Sequence, residues 1–326
     1  MNKIITGMLA GALALSAAPA ALADDALTLQ LKWVTQAQFA GYLVAESKGF
    51  YDEEDLDITI LPGGPNIAPE QVIAGGGADI IVTWMAAGMA ARESGVPLVN
   101  IAQPFKRSGL MMICPEETGI TQVSDFPGHT LGVWFFGNEY PFFAWMNKEG
   151  IATDGSEGGV TVLQQSFDIQ PMIQGQADCI SVMTYNEYGQ ALDAGYGPDN
   201  LTIFNYTDMG NDLLEDGLYV LEDSLDDPAK VDAYTRFVKA SMKGWAYALE
   251  NPEEAAQIVV DMDDTGAATL EHQLYMVGEV SKLVDATDPA LNMETYDRTV
   301  QALLDQGIIK ATPEGAYTSV VTDALK

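Results

Sequence analysis

"GGADIIVTW", residues 76–84, and "GQADCISVMTY", residues 175–185, are one phrase written twice. Each runs Gly-x-Ala-Asp, then an apolar run, then threonine and an aromatic. A glycine here suits the left-handed residue that ends a helix. Alanine fits where a helix packs on a sheet, and aspartate closes the turn by accepting backbone N–H groups. The apolar run that follows reads as a buried parallel strand. The motif is therefore structural, and chemistry is expected beyond it, at the strand ends.

Outward from each copy the elements match. The first copy is preceded by "LTLQLKWV" (27–34) as a strand, "TQAQFAGYLVAESKGFYDEE" as a helix, "LDITIL" (56–61) as a strand and "APEQVIAGG" as a short helix. Phe39, Tyr42 and Leu43 stand at helical spacing there. A helix, "MAAGMAARESG", and a strand, "PLVNIAQ", follow. The second copy is preceded by "HTLGVWFF" (129–136), the helix "NEYPFFAWMNKEGI", the strand "GVTVLQQ" (159–165) and the short helix "IQPMIQGQ". Strands alternating with helices imply parallel βαβ units. Two α/β lobes of like design are expected, each a mostly parallel sheet flanked by helices. After "NLTIFNY" (200–206) and "DGLYVLE" (216–222) the chain turns helical, with Val231, Tyr234, Phe237, Val238, Met242 and Trp245 on one stripe.

Ligands of open parallel sheets bind beyond the carboxyl ends of the strands. Here those ends read "KWVTQAQF" (32–39), "TWM" (83–85), "VWFFGNEYPFF" (133–143) and "MTYNEY" (183–188). They supply the candidate site: Trp33, Gln36, Gln38, Phe39, Trp84, Met85, Phe135, Phe136, Gly137, Asn138, Glu139, Tyr140, Tyr185, Asn186 and Glu187. Aromatics would form the walls of a flat slot, with amides and carboxylates as handles at its rim. A carboxylate facing an amino group beside a ring N–H makes two parallel hydrogen bonds, which suits an aminopyrimidine. Lys32 is the one basic residue at these ends. A phosphate or sulfonate would want more cations, although "FFGNEY" could offer N–H groups at a helix N-terminus.

The composition narrows the class. The chain opens with Lys3, an apolar run and Ala21-Leu22-Ala23, the layout of a secretory signal peptide cut after Ala23. The remaining chain would carry 14 basic and 47 acidic residues, a net charge near −33. Such a field repels nucleic acid and anionic lipid. Cys114 and Cys179 sit in apolar strand-like runs, where two buried thiols are the expectation over a bridge. The two histidines, His129 in a "PGHT" turn and His272 in an apolar helix, read as structural. No catalytic triad, metal-ligand grouping or cofactor motif stands out, so no metal and no cofactor are expected.

The stretches "LQLKWVTQAQFAGYLVAESKGFYDEEDLDITILPGG", "AGGGADIIVTW", "GHTLGVWFFGNEY" and "IQGQADCISVMTYNEYGQAL" resemble the periplasmic solute-binding proteins of ABC importers. The group in question binds thiamine-pyrimidine precursors, riboflavin and aliphatic sulfonates. The resemblance implies the type II two-lobe periplasmic-binding-protein fold. Lobe one would span 24–107 plus 209–326 and lobe two 108–208, with hinge crossings near Lys106–Ser108 and Thr207–Asp212. It implies a monomer in the periplasm that hands a small molecule to an inner-membrane permease. Trp33, Trp84, Tyr185 and Glu187 would hold a hydroxymethylpyrimidine-like heterocycle. Riboflavin and a sulfonate are the alternative ligands. The fold has an enzyme cousin, the thiamine-pyrimidine synthases, which use pyridoxal phosphate on a lysine, an active-site histidine and a cysteine-rich run. This chain lacks the cysteine cluster, and an enzyme is not expected.

Overall fold

The computed structural model describes residues 25–166 and 168–326; the expected leader, residues 1–23, lies outside the described residues. Two five-stranded sheets carry the molecule. The first is ordered β2-β1-β3-β10-β4, from β1 (Asp25–Gln30), β2 (Leu56–Leu61), β3 (Ile80–Thr83), β4 (Leu98–Ala102) and β10 (Gly217–Leu221). The second is ordered β7-β6-β8-β5-β9, from β5 (Leu110–Pro115), β6 (Thr130–Val133), β7 (Thr161–Gln164), β8 (Cys179–Met183) and β9 (Leu201–Asn205). In the first, β1 runs parallel to β2 and β3; in the second, β6 runs parallel to β7 and β8. β10 lies antiparallel to both its neighbours, and so does β5. Each reversed strand is the one the chain enters directly after crossing from the other sheet.

The repeated phrase does the same work twice. Gly76 (φ 75°) follows α2 (Pro69–Ala74), and Gly175 (φ 65°) follows α5 (Gln170–Ile173). Both lie in the left-handed region that favours glycine. Each aspartate then reaches across to the neighbouring strand instead of closing its own turn. Asp79 Oδ2 accepts from Thr28 N at 3.0 Å while Asp79 N donates to Thr28 O at 2.9 Å. Asp178 does likewise with Thr130, both at 2.8 Å. The pair of bonds sets the entering strand in register beside β1 or β6. Both β3 and β8 are buried along their whole length.

The cysteines depart from the expectation of two thiols: Cys114 and Cys179 form a disulfide. β5 pairs antiparallel with β8, with Ile113 opposite Ile180, so the next pair outward is Cys114 and Cys179. Their Cα atoms are 4.2 Å apart.

The helical C-terminal part closes over the first sheet. Asp227 caps α7 (Pro228–Glu250) by accepting from Ala229 N, and Pro228 fills the first turn. The stripe expected on α7 is its buried face from Tyr234 to Trp245, with Val231 half-buried at the margin. It packs on α1 (Ala40–Ser47), where the Tyr42 ring meets Trp245 edge-on. Two further helices, α8 (Pro252–Met262) and α9 (Leu270–Val280), bring α9 against α6 (Glu187–Asp193), the helix that follows β8. Beyond them α10 (Met293–Asp305) packs on α3 (Met85–Glu93) and on α4 (Tyr140–Lys148). No helix among the described residues is long and apolar enough to cross a membrane.

Candidate functional site

The carboxyl ends of four strands, two from each sheet, converge on one slot. β1 leads into Lys32 and Trp33, β3 into Trp84, β6 into Trp134, and β8 into Tyr185. These side chains, with Gln36, Gln38, Asn138, Met183, Asn186 and Glu187, line a cavity between the sheets. Trp33 and Trp134 meet edge-on with ring centroids 6.1 Å apart. The walls are drawn in until about 20 Å³ is left between them, room for roughly one water.

A chain of amides crosses this slot between two buried carboxylates. Gln38 Nε2 donates to Asp216 Oδ2 at 2.5 Å, and Gln36 Nε2 to Gln38 Oε1 at 2.7 Å. Asn186 Nδ2 donates both to Gln36 Oε1 at 3.2 Å and to Glu187 Oε1 at 2.7 Å. Every amide orientation is thereby fixed by its neighbour. Glu187, the first residue of α6, also accepts from Met183 N at 3.0 Å, so both of its oxygens are engaged. Burial pushes its carboxyl up to about 7. Burial raises Asp216 as well, against the Lys32 charge and the Gln38 amide that lower it.

Lys32 is 5% exposed. Its ammonium lies 4.1 Å from the centroid of the Trp84 ring and donates to Asn138 Oδ1. Burial lowers its pKa, opposed by the charges of Asp216, Glu70, Glu215 and Glu139. Asn138 Nδ2 in turn donates to Phe135 O at 2.8 Å. The Gly137 N–H, at the entry to α4, is occupied by the carboxylate of Glu139 at 2.8 Å.

Of the residues expected from sequence, Trp33, Gln36, Gln38, Trp84, Asn138, Tyr185, Asn186 and Glu187 come together here. Phe39 and Met85 do not line it; both are buried core side chains. Phe135 packs edge-on against Phe143, and Phe136 is 42% exposed. The cause is local: β6 ends at Val133, and Phe136 adopts φ 60°, which swings the loop outward. Gly137, Glu139 and Tyr140 line a neighbouring cavity with α2 and α3. Four contributors lie outside the expected set: Lys32, Trp134, Met183 and Asp216. The first three stand within the quoted strand ends. Asp216 precedes β10, whose reversed direction brings its first residues beside Thr83. His272 Nε2 meets Asn186 Oδ1 at 2.8 Å, and burial lowers its pKa.

Among the described residues, no group of three His, Cys, Asp or Glu side chains is disposed to hold a metal ion. The site can grip a flat ring between aromatic faces and read its edge with amides and carboxylates.

Comparison with known proteins agrees with this architecture. Residues 36–255 match the family described as NMT1/THI5 like. The riboflavin-binding protein RibY of Chloroflexus aurantiacus is 26% identical over 257 residues, covering 74% of this chain and 68% of that protein. The formylaminopyrimidine-binding protein of Halalkalibacterium halodurans is 24% identical, covering 74% and 72%. A 4-amino-5-hydroxymethyl-2-methylpyrimidine phosphate synthase of Legionella pneumophila is 26% identical, covering 72% of each. Among solved structures, the periplasmic aliphatic sulphonate binding protein SsuA of Escherichia coli superposes with a TM-score of 0.66 at 14% identity, covering 89% and 90%. The fold is that of the periplasmic binding proteins, and the chain belongs to the NMT1/THI5-like family.

Proposed function

We propose that this chain is the substrate-binding protein of an ABC import system, working in the periplasm and capturing a small flat nitrogen heterocycle of the hydroxymethylpyrimidine class. One observation carries the reading: strand ends of both sheets deliver aromatic faces and a fixed amide chain to a single slot. Trp84 and Tyr185 stack on the ring, Trp33 closes one side, and Gln36, Gln38, Asn138, Asn186 and Glu187 read its edge. Residues 24–107 plus 209–326 form one lobe and 108–208 the other. A ring exceeds the space now left in the slot, so the lobes part about the crossings near Lys106–Ser108 and Thr207–Asp212 to admit it, then close. The closed pair of lobes is the shape a permease reads.

The kinship with binding proteins for riboflavin and a formylaminopyrimidine supports a heterocycle over a sulfonate. So does the Gly137 N–H, already taken by Glu139. A binder is favoured over the synthase because the pocket lysine, Lys32, is held on Trp84 and Asn138. Mass spectrometry of the small molecule that co-purifies tests the ligand, backed by titrations of aminopyrimidines, riboflavin and taurine followed by tryptophan fluorescence. A tight response to taurine and none to any heterocycle overturns the ligand. Pyridoxal phosphate absorbance with a reducible lysine adduct overturns the binder.

A further inference from the structure

The slot holds a cation of its own. Lys32 reaches from the end of β1 to the loop after β6, and its ammonium rests on the Trp84 face and on the Asn138 carbonyl. Burying an ammonium is costly, and this one is offset without a contact ion pair. Four carboxylates act on it through space: Asp216, Glu70, Glu215 and Glu139. Two of them have oxygens without a hydrogen-bond partner, Oδ1 of Asp216 and Oε2 of Glu215, and both side chains are fully buried or nearly so. The Trp84 indole N–H lies beside Asp216 and lowers the pKa of its carboxyl. An aromatic face backed by buried carboxyl groups that accept hydrogen bonds or hold charge is the chemistry that recognises an organic ammonium.

We propose that this is a cation seat, and that the Lys32 ammonium stands in for the positively charged group of the ligand. Binding then exchanges one cation for another: the ligand's ammonium or amidinium settles on Trp84 before the buried carboxylates, and the Lys32 head withdraws toward solvent. The charge balance of the slot is kept in both states. A neutral ring gains no such replacement, and an anion meets the carboxylates unscreened. The inference rests on the heterocycle reading and narrows it to a ring bearing a positive charge.

A matched pair of probes tests it. 4-Amino-5-aminomethyl-2-methylpyrimidine carries an ammonium at neutral pH; its 5-hydroxymethyl analogue does not. Calorimetry on the full chain and on Lys32→Met should show the aminomethyl compound binding about tenfold tighter than its analogue, the worth of one desolvated cation–π contact. Lys32→Met should gain about another tenfold for the aminomethyl compound alone, because the internal competitor is gone. In Lys32→Ala, propylammonium should raise the melting temperature saturably and propan-1-ol should not. If both pyrimidines bind alike, or Lys32→Met weakens both, the cation seat is overturned and the heterocycle reading stands. If neither binds while propylammonium selectively stabilises Lys32→Ala, the seat stands and the heterocycle reading falls. If neither binds and the two propyl probes act alike, both fall.

Discussion

Glu215→Gln should flatten the pH dependence of stability without opening the hinge. Glu215 sits on the returning crossing between β9 and β10 and is 2% exposed. Its Oε1 accepts from Ser108 Oγ and from Gly109 N at 3.0 Å, so it ties the returning crossing to the outgoing one. Burial, with the charges of Asp216 and Asp212, pushes its carboxyl up to about 8, against the Ser108 hydroxyl and Gly109 N–H that lower it. Lys32 and Tyr185 are the other titratable groups whose charges reach it. An acid whose folded pKa lies above its unfolded value of 4.5 binds more protons folded than unfolded across that interval. Its contribution is therefore whole below about pH 4.5 and is lost as pH rises toward 8. At 1.36 kcal/mol per pH unit, the loss between pH 5 and pH 8 comes to about 3.5 kcal/mol. Glutamine matches the protonated acid: its carbonyl accepts the same two bonds and it never ionises. Urea melts at pH 5, 6, 7 and 8 should show the variant gaining about 3.5 kcal/mol on the parent across the range, with Glu187 titrating equally in both. Stability curves that stay parallel within about 1 kcal/mol would refute the reasoning.

Three further outcomes are expected. Trp84→Ala should cost about 1–3 kcal/mol of heterocycle affinity by calorimetry, the worth of one stacked base, and unchanged affinity removes Trp84 from the site. Gly189→Ala places a Cβ 2.5 Å from Tyr275 Cε1, where α6 docks on α9. Alanine favours the helix itself, so the clash acts through the docked arrangement; affinity should fall about fivefold or more. Reducing the Cys114–Cys179 bridge, or replacing both cysteines with serine, opens a loop with a sequence separation of 65 and should lower stability by about 4 kcal/mol in urea.

The parallel strands were legible because their signals are local. The glycine, the alanine and the apolar run of each Gly-x-Ala-Asp copy specify one turn and one strand, and Gly76 and Gly175 take the conformation that their place demands. What stayed illegible depends on the two reversed strands. Their sequences, "LMMICP" and "GLYVL", look like any buried strand, and nothing in them states direction. Direction decides the rest. A reversed β5 beside β8 brings Cys114 opposite Cys179, so two buried thiols became a bridge. A reversed β10 carries the residue before it to the ligand side of the sheet, so Asp216, which opens "DGLYVLE", accepts from Gln38 of the slot. The aromatic run at 134–136 failed for another reason. Its strand stops at Val133, and the left-handed Phe136 turns Phe135 and Phe136 out of the slot that Trp134 enters.

The same geometry bears on the proposed choice of a heterocycle over the sulfonate named for SsuA. An anion bound at a cleft needs uncommitted donors, most simply backbone N–H groups at a helix start or a cluster of cations. Here the Gly137 N–H before α4 is already occupied by Glu139. The one cation at the slot is outnumbered by Asp216, Glu70, Glu215 and Glu139. On the proposed reading, the acidic surface of the chain and the carboxylates around Lys32 act in one direction, favouring a ligand with a positive edge over an anion.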